Sequence, residues 1–254
     1  MRLESFRPPY QLDIAATVGD VELRLQTFLN GSRSDGARLS EVLSIFMRRF
    51  EDVAILGGMV RDFARVGAPG FHSDVDLVID APADVVSDFS RQIGARTNAF
   101  GGNSVILDGW EVDFWAMETT WAAREGHVVL SRLEDVPRST FFDHDAILYH
   151  LGRRQVICDE GYVSRQHLNS IEINLEPNAS INGCLYRATR RMLGWEMKAG
   201  PRLESFIDRN LNPEAFAAMA ETERRKNATP IVQSFLHVSG LREVLLKTPA
   251  NERK

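Results

Sequence analysis

The stretch that most constrains this chain is residues 55–79, ILGGMVRDFARVGAPGFHSDVDLVI. A short apolar run ends in two glycines, a helical stretch follows, and two aspartates one residue apart then open another apolar run. The spacing predicts a strand at VAIL (53–56), a turn at Gly57–Gly58, a short helix over 59–66, a break at GAPG (67–70) and a strand at VDLVI (75–79). Glycine permits torsions and a closeness of backbone approach that other residues do not. A helix opening directly after the turn presents N–H groups that attract anions. At the far end, Asp74 and Asp76 occupy strand positions i and i+2. These face the same side, with Cα atoms roughly 6.6 Å apart from two rises of about 3.3 Å. Two carboxylates held in that way repel each other, and a divalent cation relieves the repulsion.

An Asp-x-Asp arises about once by chance in a chain of this composition, and two occur, Asp74–Asp76 and Asp143–Asp145. Context separates them. SVILDGWEVDFWAM (104–117) is the clearest hairpin signal: two alternating runs flank Asp108–Gly109, a pair suited to positive φ angles. In its second strand Val112, Phe114 and Ala116 share one face, and Glu111, Asp113 and Trp115 the other. If that strand neighbours the one bearing Asp74 and Asp76, Asp113 completes a three-carboxylate cluster, with Glu111 as the alternative. Such a cluster suits two metal ions that clamp an in-line phosphoryl transfer. Asp143, His144 and Asp145 read either as a second metal site or as a helix face, the latter preferred. His72 reads either as a group acting near the metals or as a plain loop residue, the latter preferred; Trp115 either stacks on a base or packs, the latter preferred; and Cys158 and Cys184 read as buried small residues.

Elsewhere, residues 1–19 are weakly patterned and predicted to lie over the surface. Residues 20–30 read as a short helix and GSRSDG (31–36) as a loop. ARLSEVLSIFMRRF carries Leu39, Val42, Leu43, Phe46 and Phe50 at helical spacing, with Asp35 as a cap. PADVVSDFSRQIG reads as a helix with proline in its first turn and Gly94 past its end. FFDHDAILYHL (141–151) reads as helix and QVICD (155–159) as strand. From Ser180 onward the chain reads mostly as helix, over 180–199, 202–209, 213–226 and 230–247. The expected organisation is an N-terminal extension (1–36), a mixed α/β unit (37–160) and a helical portion (161–254).

Bulk properties narrow the function. A net charge of −5 argues against whole-surface attraction to nucleic acid and leaves room only for a local basic patch. Two cysteines suit a reducing compartment. With no apolar run after the first charges and none of membrane-spanning length, the expectation is a soluble, cytoplasmic protein without a membrane partner.

The ordered motifs GGMVRD and SDVDLVI resemble the head domain of class II tRNA CCA-adding enzymes and bacterial poly(A) polymerases, members of the polymerase β-like nucleotidyltransferase superfamily. FGGNSVIL (100–107) stands where that family has its FG strand. STFFDHDAILYHL stands where it has RRDFTINALAY, and CLYRATRRM where it has an arginine-bearing helix. The resemblance covers roughly residues 37–200. It implies an α+β fold: a small mixed sheet flanked by helices, followed by a short all-helical neck. It implies that Asp74 and Asp76 bind Mg²⁺ and a nucleoside triphosphate, and that Asp113 binds the catalytic metal and helps activate the attacking hydroxyl. Two ions are expected, with Mn²⁺ as a substitute. Gly57 and Gly58 would hold the triphosphate, Arg61 would lie near phosphates or pair with an acid, and Asp62 would brace the loop. Asp145, Arg187 and Arg190 match family positions that reach the nucleotide.

There are departures. The family's Arg-Arg-Asp becomes Ser139, Thr140 and Phe141; its asparagine becomes Asp145; a neck arginine falls at Cys184. No clear copy of the base-selecting Asp-x-x-Arg pattern follows, and the stretch after the arginine helix is too short for a long tRNA cradle. The expected activity is metal-dependent transfer of a nucleoside monophosphate to a hydroxyl on an RNA 3′ end, a small molecule or a protein. Arg187, Arg190, Arg191, Lys198 and Arg202 keep RNA among the acceptors. The alternative is a non-catalytic nucleotide-binding or interaction module built on the same head.

Overall fold

The structure, a computed structural model, describes residues 11–31, 35–71, 74–98, 101–226 and 228–246. His72 and Phe100 lie outside them. The described chain divides into two compact units. One runs from Tyr10 to Leu168 and includes Asn174–Pro177; the other comprises Asn169–Ile173 and the chain from Asn178 onward.

The first unit begins with α1 (Val18–Leu29), capped by a reciprocal pair in which the Thr17 hydroxyl accepts from the Asp20 N–H and the Asp20 carboxylate accepts from the Thr17 N–H. Then come α2 (Asp35–Met47), β1 (Val53–Leu56), α3 (Gly58–Arg65), β2 (Val75–Ile79), α4 (Ala83–Gln92), β3 (Arg96–Thr97), β4 (Asn103–Leu107), β5 (Trp110–Ala116), the single turn α5 (Trp121–Arg124), β6 (Ile147–His150), β7 (Gln155–Cys158) and α6 (Tyr162–His167). The seven strands form one mixed sheet in the order β3-β4-β5-β2-β1-β6-β7. Only β2 and β5 pair in parallel among the ladders of this sheet.

The two faces of the sheet are covered unequally. Val53 and Ile55, then Val75, Leu77 and Ile79, then Val112, Phe114 and Ala116 enter the large core, with Leu39, Leu43, Phe46, Val86 and Phe89 from α2 and α4. The edge-on contacts Phe46–Phe89 and Phe46–Phe114, at 5.4 and 5.2 Å between ring centres, lock those helices on the strands. On the opposite face Ala54, Val78 and Leu148 form a smaller cluster with Met117, Leu133 and Val136, flanked by the partly buried Leu56, Leu130 and Ile157. A 3₁₀ turn at Leu133–Ser139 supplies much of that cover. The period of two along each strand thus sends every second side chain to a thinly covered face, and that is the face Asp76 and Asp113 share.

Two expectations are corrected here. FFDHDAILYHL is not a helix: Asp143–Asp145 forms a 3₁₀ turn and Ile147–His150 the strand β6. All four β6 residues are buried between β1 and β7, and a run apolar on both faces carries no period to separate a strand from a helix. The described part of residues 1–19 does not simply overlie the surface. Asp13 and Ala15 donate their N–H groups to the carbonyls of Arg65 and Ala64, Ala15 is buried, and α1 adds Val21 and Leu25 to the main core. The hairpin is as expected, with Asp108 and Gly109 at φ +48° and +81°.

The second unit holds β8 (Ser170–Ile171), α7 (Ile181–Gly194), β9 (Lys198–Ala199), α8 (Pro201–Asn210), α9 (Pro213–Arg225) and α10 (Val238–Leu246). Helices dominate, but β8 and β9 form a short parallel pair, so helix 180–199 of the sequence reading ends early. Glu223 is fully buried. Its two oxygens accept from Arg190 Nη1 at 3.2 Å, Val232 N at 3.3 Å, and Gln233 N and Nε2 at 3.0 and 3.4 Å. Among the described residues no helix is long and apolar enough to cross a membrane.

Candidate active site

The parallel pairing of β2 with β5 sets Asp76 directly opposite Asp113, on the thinly covered face. Asp74 stands exposed just before β2. Asp76 is half-buried, and no hydrogen-bond donor reaches it among the described residues. Burial, followed by the charges of Asp113, Asp74 and Asp145, pushes its carboxyl up to about 7, against a smaller opposing pull from Arg61. Glu111 is raised by the nearby charge of Asp74 first, then by burial and Asp113, but it is exposed and one pleat away from the Asp76 position. The structure thus sets Asp113, rather than Glu111, beside Asp76. Among the described residues no three His, Cys, Asp or Glu side chains stand close enough to enclose an ion; the acids lie along two neighbouring strands, not in a closed cage.

The glycine turn lies at the end of β1. Gly57 has φ +64° and ψ −108° and caps α3 without a side-chain hydrogen bond. Its N–H donates to the Ile147 carbonyl at 2.8 Å, tying the turn to β6. A Cβ there would meet its nearest neighbour, the Asp145 carbonyl oxygen, at 3.6 Å. Torsion, not crowding, therefore demands glycine. Along α3, Met59 to Arg65 are all buried, so the helix is a rigid strut between turn and sheet.

Arg61 pairs with acids. Its Nε and Nη2 donate to Asp62 Oδ1 at 2.9 and 2.7 Å, and Nη1 donates to Asp145 Oδ1 at 2.6 Å. Burial works against its charge, yet Asp62 and Asp145 outweigh it and hold the guanidinium above its usual range. One turn on, buried Arg65 donates to Gln166 Oε1 at 3.0 Å, and burial lowers it to about 10. Tyr162 donates to the His144 carbonyl at 2.8 Å. The turn's helix is therefore bound through polar contacts to the 3₁₀ turn and to α6.

Among the described residues that 3₁₀ turn gathers no second metal site. Asp145 faces Arg61, Asp143 approaches Arg165 Nε at 3.4 Å, and His144 is buried with its ring 5.6 Å from that of Phe142. Nor is it the capped or exposed helix face preferred from sequence: it is a 3₁₀ turn with Asp143 and His144 buried. Trp115 lies across Gly102, where an added Cβ would fall 2.0 Å from Trp115 Nε1. Cys158 is half-buried, with burial pushing its thiol up to about 11, and Cys184 is buried. In the second unit Arg187 donates to Cys184 Sγ at 3.5 Å. Arg190 is committed to Glu223 and to the Thr229 carbonyl at 2.8 Å, with its guanidinium 5.7 Å from the centre of the Tyr186 ring. Sequence reasoning overlooked Asn98, which donates to Asp113 at 3.3 Å. The available signal was its place beside FGG at the foot of the hairpin.

No family profile matches the chain, and no curated protein matches it. Solved structures do. The Thermotoga maritima CCA-adding enzyme complexed with tRNA_CCA is 15% identical over 76% of this chain and 46% of that one, with a TM-score of 0.50. A tRNA nucleotidyltransferase complexed with a primer tRNA and an incoming ATP analogue is 19% identical over 69% of this chain and 57% of that one, at 0.40. A tRNA-processing enzyme complex is 17% identical over 69% and 53%, at 0.41. The first likeness shows a shared fold, a mixed sheet flanked by helices. This chain spans about half the length of each of these structures.

Proposed function

We propose that this protein is a nucleotidyltransferase that moves a nucleoside monophosphate from a nucleoside triphosphate onto a hydroxyl acceptor, releasing pyrophosphate. The observation that carries the reading is the register that sets Asp76 opposite Asp113 on the open face, on the same sheet as the positive-φ glycine turn. The donor set suits divalent ions: oxygen ligands only, with repulsion around Asp76 that Arg61 offsets only in part. Asp74, Asp76 and Asp113 would hold Mg²⁺ or Mn²⁺, which when bound supplies charge stabilisation for phosphoryl transfer. Gly57 and Gly58 would offer backbone N–H groups to the triphosphate. Arg61 and Asp62 keep that turn in place through Asp145. The local arginines of α7 keep an RNA acceptor in view beside a small-molecule or protein hydroxyl.

One observation favours a second reading, a nucleotide-binding module without turnover. Arg61 is already paired with two carboxylates, and Ser139, Thr140 and Phe141 bring no positive charge. Calorimetric titration of each of the four nucleoside triphosphates with Mg²⁺ tests the proposal without knowledge of the acceptor. Metal-dependent binding, lost in the Asp74→Asn/Asp76→Asn double variant, is expected. Absence of binding for all four would sink both readings, and binding without pyrophosphate release across an acceptor panel would select the second.

A further inference from the structure

Asn98 opens the turn between β3 and β4 and is held there by contacts with Gly101, Gly102 and Asp113. Its N–H donates to the Gly102 carbonyl at 2.8 Å, and its own carbonyl accepts from Gly101 N at 3.2 Å. Its Oδ1 accepts from Gly102 N at 2.9 Å, and its Nδ2 donates to Asp113 Oδ2 at 3.3 Å. A side-chain amide has a donor end and an acceptor end, and which faces where is set by its partners. Here the Gly102 N–H demands the oxygen, so the NH₂ must face the carboxylate. The turn is pinned from outside as well. Asn103 donates to the Phe114 carbonyl at 3.3 Å and accepts from the Ser90 hydroxyl at 2.7 Å, and Trp115 covers Gly102 too closely for any Cβ.

We infer that Asn98 is a positioning residue for Asp113. It fixes one carboxylate oxygen with a neutral donor and leaves the other for an incoming cation, on the strand position opposite Asp76. This rests on the reading of Asp113 as a metal ligand. The neutrality of the donor is the point of the choice. An arginine or lysine in this place would orient the carboxylate equally well but would neutralise it and compete with the cation. An amide orients without either effect, as partners behind metal ligands commonly do.

The test is Mn²⁺ binding to the full chain, followed by electron paramagnetic resonance, with thermal melting measured in parallel. The proteins are wild type, Asp113→Asn, Asn98→Ala and Asn98→Ser. Serine keeps a short acceptor for the Gly102 N–H but falls short of Asp113. Expected are binding by wild type, its loss in Asp113→Asn, and roughly tenfold weaker binding in both Asn98 variants with melting unchanged for Asn98→Ser. Equal affinity in wild type and both Asn98 variants would overturn the inference and leave the metal site standing. Weakening in Asn98→Ala but not in Asn98→Ser would also overturn it, assigning the effect to turn closure. No Mn²⁺ binding by wild type would remove the proposed site itself, and the inference with it.

Discussion

Asp76 and Glu223 are carboxylates withdrawn from water in different units of the same chain, and they are treated in opposite ways. Glu223 is fully buried and meets four donors, one of them an arginine. Asp76 is half-buried and faces Asp113 across a ladder, with Asp74 and Asp145 adding charge of the same sign. A buried charge is costly unless it is paired and hydrogen-bonded. Glu223 meets that requirement within the fold and needs nothing further. Asp76 does not, and the deficit is what a divalent cation would fill. Burial of an acid is therefore a poor guide to function by itself; the useful distinction is whether the protein supplies the compensating groups.

The largest effect expected from this contrast is on turnover. Asp76→Asn should reduce nucleoside triphosphate-dependent pyrophosphate release at least about a hundredfold, with no loss of thermal stability. Glu223→Ala should do the reverse. It leaves Arg190 and two backbone N–H groups facing an emptied site, at a cost of about 3–5 kcal/mol, read in denaturant unfolding. If Glu223→Ala proved harmless to folding, the comparison would fail on its structural side.

A pH series sharpens it further. The folded-state value of Asp76 is raised from its ordinary 3.8 to about 7. Across that window the folded chain binds more protons than the unfolded one, so its stability falls as pH rises. The metal-free wild type should therefore lose stability relative to Asp76→Asn between about pH 4 and 7, by roughly 1–3 kcal/mol after allowing for partial exposure. Mg²⁺ at neutral pH should recover part of it. Parallel stability curves for the two proteins would show that Asp76 is compensated after all. The smallest expected effect is that of Asp145→Asn. Arg61 keeps Asp62 and loses one charged partner, for about 1–2 kcal/mol, while one source of repulsion on Asp76 disappears. Nucleotide affinity measured by calorimetry should rise.

Much of the site could be read from sequence because it obeys short-range rules. Alternation in GWEVDFWAM put Asp113 on one face, Asp108–Gly109 fixed the hairpin, and the glycine pair marked the turn. What pattern alone could not provide was the neighbour relation of β2 and β5, which rests on a parallel pairing across the intervening α4, β3 and β4. The misread segment was β6, whose Ile147–His150 is buried on both sides and so has no polar face to reveal its period. From sequence, Asp145 is an acid at a position where the family is neutral; the pairing with Arg61 at 2.6 Å appears only in the fold. Glu223 left no local signature, since its role depends on partners brought together by folding, and Asn98 had only its place beside FGG to mark it.

The most direct test of the central claim is a crystal structure of the protein with Mn²⁺ and a non-hydrolysable nucleoside triphosphate, using the anomalous signal of manganese. The account predicts manganese bound by the carboxylates of Asp74, Asp76 and Asp113, with the triphosphate against the Gly57–Gly58 turn. Nucleotide bound elsewhere, or carboxylates without metal beside a bound triphosphate, would contradict it.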